Sequence, residues 1–462
     1  MLTTIDKTKN PLGNLFSLSG FAFSPDNYYV FKIFLKKNPL QLNDDFKYAL
    51  DVLEKTRKSM FITGRAGTGK STLLQLFRNT TRKKVAVLAP TGVAALNVKG
   101  QTIHSFFKFP AKPLHKSEIK RLRQRKIYRK LEVLIIDEIS MVRADLLDNI
   151  DWFLRKNREN PLPFGGVQVI FFGDLFQLPP VVATEQERML FRMQYTSQYF
   201  FSAHVFEEFE LEMMELRKIY RQDGRHFIRL LESVRLNLVD YEDLADLNER
   251  HIPNFEPEAY YITLSARNAT VNSINTKELK QLITPATVYL GKVEGNFDVR
   301  LYPTELALKL KEGAQVMFIK NDPERKFVNG TIGKIVELTN DTIKVVVLMN
   351  GNERLINVPK LEWEILKYTV NEKDESKIET ESIGKFTQYP LKLAWAITIH
   401  KSQGKTFEKV IIDLGKGAFA HGQTYVALSR CKTLEGIVLK QALKPSDIQV
   451  DERVVDFYER HF

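Results

Sequence analysis

The chain has 462 residues, 44% of them hydrophobic, enough to bury several cores in about two to four domains. Lysine and arginine number 68 against 56 aspartates and glutamates, and the resulting charge of +12 favours a polyanion such as nucleic acid over a small acidic ligand. The single cysteine, Cys431, excludes an internal disulfide and a cysteine-based zinc site, and no apolar run is long enough to span a bilayer. The opening residues have no signal-peptide core and no arginine before Arg57, so a cytoplasmic protein without a membrane partner is expected.

Residues 1–40 mix polar and aromatic types without periodicity and read as an N-terminal extension. From 41 to 205 the runs MFIT (60–63), VAVLAP (85–90), VLIID (133–137) and VQVIFFGD (167–174) are short and β-rich. Separated by amphipathic stretches, they predict parallel strands of an α/β sheet covered on both faces. GRAGTGKST (64–72) follows the first of them and fits G-x-x-x-x-G-K-[ST]. Backbone N–H groups of Gly64, Ala66, Gly67, Thr68 and Gly69 can turn towards phosphate oxygens, and the helix beginning near Ser71 and Thr72 adds its positive end. Lys70 is expected to face the β and γ phosphates, and the Ser71 hydroxyl to ligate Mg²⁺. VLIIDEIS then sets two carboxylates where a buried strand ends, a costly pairing unless a cation sits beside them. Asp137 is expected to hold Mg²⁺ and Glu138 to take a proton from an attacking water. Between these motifs, residues 108–130 hold ten lysines and arginines against one acid, Glu118. The run, with Arg121, Arg123 and Arg125 at its centre, reads as a solvated helix face, a phosphate track or a small insertion (about 106–130). Phe106 just before it offers a stacking or wedge surface, or ordinary core.

Further polar residues follow other strands. Gln177 in GDLFQLPPV can sense a γ-phosphate, and Arg221 in RKIYRQ and Arg430 in VALSRCK can stabilise charge on a transferring phosphoryl group. A second strand series, YYITLS (260–265), KVIIDL (409–414) and GIVLK (436–440), predicts a second α/β domain over 206–295 and 387–462. Close-spaced strands with VNG and MNGN turns between 314 and 358 predict a small antiparallel barrel inserted at 296–386. The acid-rich segment 371–381 reads as a solvated loop closing it. Asn268, Asn272 and Asn275 recur on one face of a predicted helix.

GRAGTGKST, APTGVAALNVKGQTIHSFF, IIDEISMVRADLLDNIDWFLRK, PFGGVQVIFFGDLFQLPPV, ELRKIYRQ, AITIHKSQGKTF and YVALSRCKT stand in the order found in superfamily-one helicases. Over roughly 41–441 the chain resembles the petite-integration-frequency (PIF) family of 5′-to-3′ DNA helicases. The resemblance implies an α/β fold of two RecA-like parallel-sheet domains with ATP in the cleft between them, a wedge-like insertion in the first and an Src-homology-three-like barrel in the second. It implies an ATP- and Mg²⁺-driven motor that unwinds duplex or structured DNA, with roles in repair, recombination and telomere maintenance. A RecD-like subunit of a nuclease complex and a non-translocating ATPase switch are the alternatives. Single-stranded DNA, single/double-strand junctions and G-quadruplex DNA are the implied partners, and a monomer the implied state. By resemblance Lys70, Ser71, Asp137, Glu138, Gln177, Arg221 and Arg430 fall at ATPase positions, and Gln403 and Gly404 at the motif joining nucleotide to DNA. Thr91, Gly92, His104, Asn268, Asn272, Thr398, His400, Lys401 and Ser402 are implied DNA contacts, with Asn329 in the turn of the inserted barrel beside them. Where the family carries an adenine-reading glutamine this chain has Phe46, which leaves Tyr220 to stack on the base.

Overall fold

The structure, a computed structural model, describes residues 43–462 except 111, 223, 350 and 372–376. The expected N-terminal extension lies outside the described residues. Six parallel strands form the first sheet: β1 (Met60–Gly64), β2 (Val85–Ala89), β3 (Gln101–Thr102), β4 (Val133–Ile136), β5 (Gln168–Phe172) and β6 (Glu212–Leu216), in the order β3-β2-β4-β5-β1-β6. Every residue of β1, β4 and β5 is buried, which is why these strands read as unbroken apolar runs. Their side chains alternate between two cores. Ile62, Ile135 and Phe172 meet Phe46 and Leu50 of helix Asp44–Lys55 and Leu73 and Phe77 of helix Lys70–Thr80. Phe61, Leu134 and Phe171 face the other way, in one core with Leu147, Ile150 and Leu154 of helix Ala144–Arg158. The chain leaves β1 towards β2 on one side and later returns to β6 on the other. The carboxyl end of β1 is therefore a topological switch point, the usual ligand site of an open parallel sheet.

Between β7 (Ile262–Ser265) and the rest of the second domain the described residues form ten inserted strands: β8 (Ala286–Leu290), β9 (Lys292–Gly295), β10 (Ala307–Lys311), β11 (Gln315–Phe318), β12 (Ile332–Leu338), β13 (Ile343–Met349), β14 (Asn352–Asn357), β15 (Leu361–Val370), β16 (Ile378–Gln388) and β17 (Leu391–Leu393). The second sheet then closes with β18 (Ala396–Thr398), β19 (Val410–Asp413) and β20 (Ile437–Leu439), parallel in the order β18-β7-β19-β20. The two sheets and their covering helices are the RecA-like pair the motifs imply. In the insertion, an antiparallel sheet β14-β13-β12-β11-β17 and the ribbon β10-β8 share one core built on Phe318, Val345, Leu310 and Leu391.

The structure corrects three expected boundaries. β6 pairs with β1, so the first domain runs past 205 to at least Leu216. β8 and β9 pair with β10 and β16, and β17 with β11, so the insertion occupies 286–393 rather than 296–386. The C-terminal helix Glu452–His461 leaves the second domain and covers the first, where Phe457 stacks on Phe201 at 4.4 Å and Phe462 meets Phe61. The acid-rich segment also differs in part from a loop, because residues 378–381 already belong to β16. The β15–β16 hairpin reaches the first domain. Tyr368 is buried against the first domain, where its backbone N–H donates to Gln101 Oε1 at 3.3 Å and its hydroxyl accepts from Val87 N at 2.9 Å. Because β3 is only two residues long, the edge of β2 at Val87 has no strand partner, and this hydroxyl takes that place.

If the C-terminal helix closes the first core, Phe457→Ala removes a half-buried ring and destabilises the fold by roughly 2 kcal/mol. Thermal melts of variant and parent measure this, and an unchanged melting temperature would show that the helix contributes nothing there.

Candidate nucleotide cleft and DNA face

The carboxyl ends of β1, β4 and β5 open into a cleft of about 550 Å³, closed on its far side by the second domain. Its wall brings together Ala66, Gly67, Gly69, Lys70, Ser71 and Thr72 with Asp137, Glu138, Gln177, Tyr220, Arg221, Gly404 and Arg430. Residues more than 300 positions apart in sequence thus share one cavity. The loop before helix Lys70–Thr80 needs glycine for two separate reasons. Gly67 and Gly69 have φ of +87° and +90°, and a Cβ on Gly67 would lie 2.4 Å from Arg221 Cβ. The Gly67 carbonyl accepts from Tyr220 N at 2.9 Å, so the 220–222 segment rides directly on the phosphate loop. Lys70 Nζ donates to the carbonyls of Gly64 (2.5 Å) and Arg65 (3.0 Å).

Burial sets the electrostatics. Asp137 is 9% exposed, and burial followed by its neighbour Glu138 pushes its carboxyl well above the usual range. Burial also raises Glu138, against the pull of Lys70 and Arg430. Burial lowers Lys70 and Arg221 in turn. Arg430 falls to about 9 through burial and then the Arg221 guanidinium beside it. Both acids and both arginines are disfavoured in their charged forms, and the described residues give neither arginine an ion pair. Arg430 instead donates to Val426 O (2.9 Å) and Ser429 Oγ (2.8 Å), while Gln222 Nε2 donates to Ser429 O at 3.0 Å and ties the two arginine segments together. An anion held between the arginines, with a cation on the carboxylates, would relieve all four. No cluster of three metal-ligating side chains exists among the described residues. Asp137 and Ser71 therefore suit a hard ion that keeps most of its waters and takes the remaining oxygens from phosphate. Glu138 sits at φ 52°, a left-handed backbone that a glutamate seldom adopts.

Around the expected adenine position, Phe46 is core, 2% exposed, and its ring edge lies 3.0 Å from where a Gly69 Cβ would be. Tyr220 is 48% exposed at the cleft mouth. Gln403 does not line the cleft; its Nε2 donates to Gln177 Oε1 at 3.4 Å, joining two motifs. Sequence reading missed Thr406 and Lys432, which do line it, and Asp174 and Tyr425 beneath it. The GD before Gln177 and the tyrosine before VALSR were the available signals.

The expected DNA residues divide. Thr91 and Lys401 are exposed, as are His400, Asn268 and Asn272, whereas Gly92 lies under Leu301 of the insertion, 2.2 Å from where its Cβ would be. His104 is half-buried, and burial lowers its imidazole. Three assignments need correction. Phe106 is 4% exposed and packs edge-on against Phe107, Tyr128 and Tyr368, so it is core rather than a stacking surface. Ser402 is fully buried and its hydroxyl donates to Ile399 O at 2.7 Å. Thr398, 5% exposed, caps the following turn by accepting from Lys401 N at 3.3 Å. Asn275, on the same helix as Asn268, is turned inward and pairs with both backbone groups of Ala396. In the basic run, Glu159 from outside it pairs with Arg121, Arg125 and Arg129, leaving Arg123 exposed. Asn329 N donates to Asn321 Oδ1 at 2.7 Å, and Gly330 beside it abuts Lys405 and Thr406 at the cleft edge.

Comparison with known proteins agrees with this geometry. Residues 41–243 match the PIF1-like helicase family and 299–338 the 2B domain of DNA helicase Pif1. An ATP-dependent DNA helicase Pif1 of Bdellovibrio bacteriovorus is 33% identical over 435 residues, 91% of this chain and 92% of that one. The zebrafish (Danio rerio) ATP-dependent DNA helicase PIF1 is 35% identical over 87% of this chain and 61% of its own. Unliganded Pif1 from Bacteroides sp superposes with a TM-score of 0.84 at 38% identity, covering 91% of this chain and 97% of that one. Bacteroides Pif1 bound to single-stranded DNA, at the same identity and coverage, superposes at 0.64. The chain belongs to the PIF1-like helicase family and is, as these relatives are named, an ATP-dependent DNA helicase.

Proposed function

We propose that this helicase translocates 5′ to 3′ on single-stranded DNA and unwinds duplex or structured DNA, G-quadruplexes included, by hydrolysing Mg²⁺–ATP in the cleft. The observation that carries the hydrolytic part is the pair Arg221, half-buried, and Arg430, fully buried, which line one cleft with Lys70 and Glu138 and to which the described residues give no acid ion pair. Lys70 binds the β and γ phosphates once its carbonyl contacts are exchanged for them. Bound Mg²⁺ would neutralise the phosphate oxygens, with Asp137 and Ser71 as its protein ligands. Glu138 orients the attacking water and accepts its proton, a role its raised basicity suits. Gln177 reports the γ-phosphate to Gln403 in the second domain, and the two arginines stabilise the charge that develops during transfer. A monomer as the catalytic unit is part of the same proposal. The direction of movement is supported by family membership, and DNA as the track by the relatives solved with single-stranded and forked DNA.

Lys70→Ala is expected to abolish ATP turnover, whereas Glu138→Gln retains nucleotide binding and loses roughly a hundredfold or more in turnover. Nucleotide titrations beside steady-state hydrolysis separate the two. Loss of binding in a folded Glu138→Gln would assign that carboxylate to the metal.

Strand displacement with 5′-tailed and 3′-tailed duplexes tests direction: only the 5′-tailed substrate should be unwound, and only with ATP and Mg²⁺. Unwinding of the 3′-tailed duplex alone would reverse the proposal.

The arginine cluster yields a third measurement. Arg123→Gln should flatten the slope of log affinity against log salt by roughly 0.7, one single-strand contact. Glu159→Gln, which frees three arginines, should steepen it by up to roughly 2. Salt titrations in which neither variant moves the slope would take residues 108–130 out of the DNA path.

A further inference from the structure

Asp174, just beyond β5 and 1% exposed, serves groups from both domains with its two oxygens. Oδ1 accepts from Phe176 N at 3.3 Å and faces Arg235 Nε at 3.6 Å. Oδ2 accepts from Gln177 Nε2 at 3.0 Å and from the Tyr425 hydroxyl at 3.3 Å. That hydroxyl in turn accepts from Ala66 N of the phosphate loop at 3.0 Å. One carboxylate therefore orients Gln177, on the first domain, and Tyr425, on the second, around the same phosphate loop.

Such a carboxylate needs a buried counter-charge, and Arg235 in the last turn of helix Arg225–Leu236 supplies it. Its side chain has no exposure. The guanidinium lies between the rings of Phe176 at 4.3 Å and Tyr458 at 4.9 Å, with Glu215 at 3.4 Å and Glu232 at 3.5 Å on its other edges. Glu232 also pairs with Arg65 of the phosphate loop at 2.7 Å. Tyr458 fixes the far side by donating to Glu215 Oε1 at 2.8 Å. Arg235 Nε makes no hydrogen bond, so towards Asp174 the guanidinium acts as a charge and not as a directed donor. A buried ion cluster is weak evidence for stability, since apolar groups of the same volume often replace one without loss. Here the cluster leads to the nucleotide cleft by two routes, through Asp174 and through Glu232 and Arg65.

We propose that Arg235 is a positioning residue for ATP turnover, holding the Asp174 carboxylate so that Gln177 and Tyr425 are set against the phosphate loop. It touches no nucleotide itself and acts on the chemical step through Asp174. The proposal rests on the cleft being the site of hydrolysis.

The test is a cycle of the full-length chain with Arg235→Met, Asp174→Asn and the double variant, reading kcat and KM for ATP with saturating single-stranded DNA. Arg235→Met should lose roughly tenfold in kcat while KM stays within about threefold, and the double variant should be no slower than the slower single. A stabilising role alone predicts a lower melting temperature with parental kcat in the folded fraction, and independent roles predict losses that multiply; either overturns the proposal. If Arg235→Met does not fold, Arg235→Lys decides. A compact ammonium cannot fill the space between two rings and reach three carboxylates, so kcat should fall at least about threefold at constant KM. Parental kcat there overturns the proposal as well. A parent chain that fails to hydrolyse ATP would instead sink the nucleotide reading.

Discussion

The contact between Gly67 and the 220–222 segment is the constraint on which the rest of the site depends. A backbone hydrogen bond from Tyr220 and the approach of the Arg221 Cβ to a position that tolerates no side chain bring the two domains together at the phosphate loop. Arg221 is thereby delivered to the cleft, and Gln222 reaches on to Ser429, which places Arg430. The seam also explains why the ionisable groups are disfavoured as charges: closing two domains over them removes water before any phosphate arrives. Nucleotide is then the partner that the buried charges lack, and its affinity draws on that deficit.

Much of the first domain was legible because its information is local. β1, β4 and β5 are buried on both faces and announce themselves as apolar runs. The phosphate loop is contiguous, and DE at a strand end needs only its immediate neighbours to be read. The errors have a common physical origin in contacts between distant segments. β6 follows long loops and a separate helix, Glu185–Gln194, and joins the sheet by pairing with the first strand. β8 and β9 look like an extension of the second domain until their partners, β10 and β16, are known. Phe106 and Ser402 sit in motifs expected, from the resemblance, to face DNA, yet a motif specifies residue types and not which side chains turn inward. The basic run seemed nearly unopposed because Glu159, its neutralising acid, lies about thirty residues later at the end of another helix. Arg235 was invisible for the same reason, as a lone arginine in an amphipathic pattern whose partners, apart from Glu232 on its own helix, come from three separate regions.

The insertion lies over a position expected to meet DNA. It reaches the first domain twice, through Tyr368 at the edge of β2 and through Leu301 over Gly92. The second contact covers a backbone position expected to meet a phosphate. The described arrangement superposes better on an unliganded relative than on one carrying single-stranded DNA, 0.84 against 0.64. The cleft is assembled here, while Leu301 lies over Gly92, one of the positions expected to meet the strand.

Glu138 holds a left-handed backbone directly after a buried strand, a conformation that costs a non-glycine residue about 1 kcal/mol or more. Selection for stability alone would put glycine or asparagine there, and either would relax the turn. A glutamate at this corner carries that cost at the residue proposed to accept the proton, a role neither glycine nor asparagine could fill. The same trade limits attempts to make this enzyme more heat-resistant: substitutions that ease the backbone at this corner would yield a sturdier protein at the expense of the proposed base.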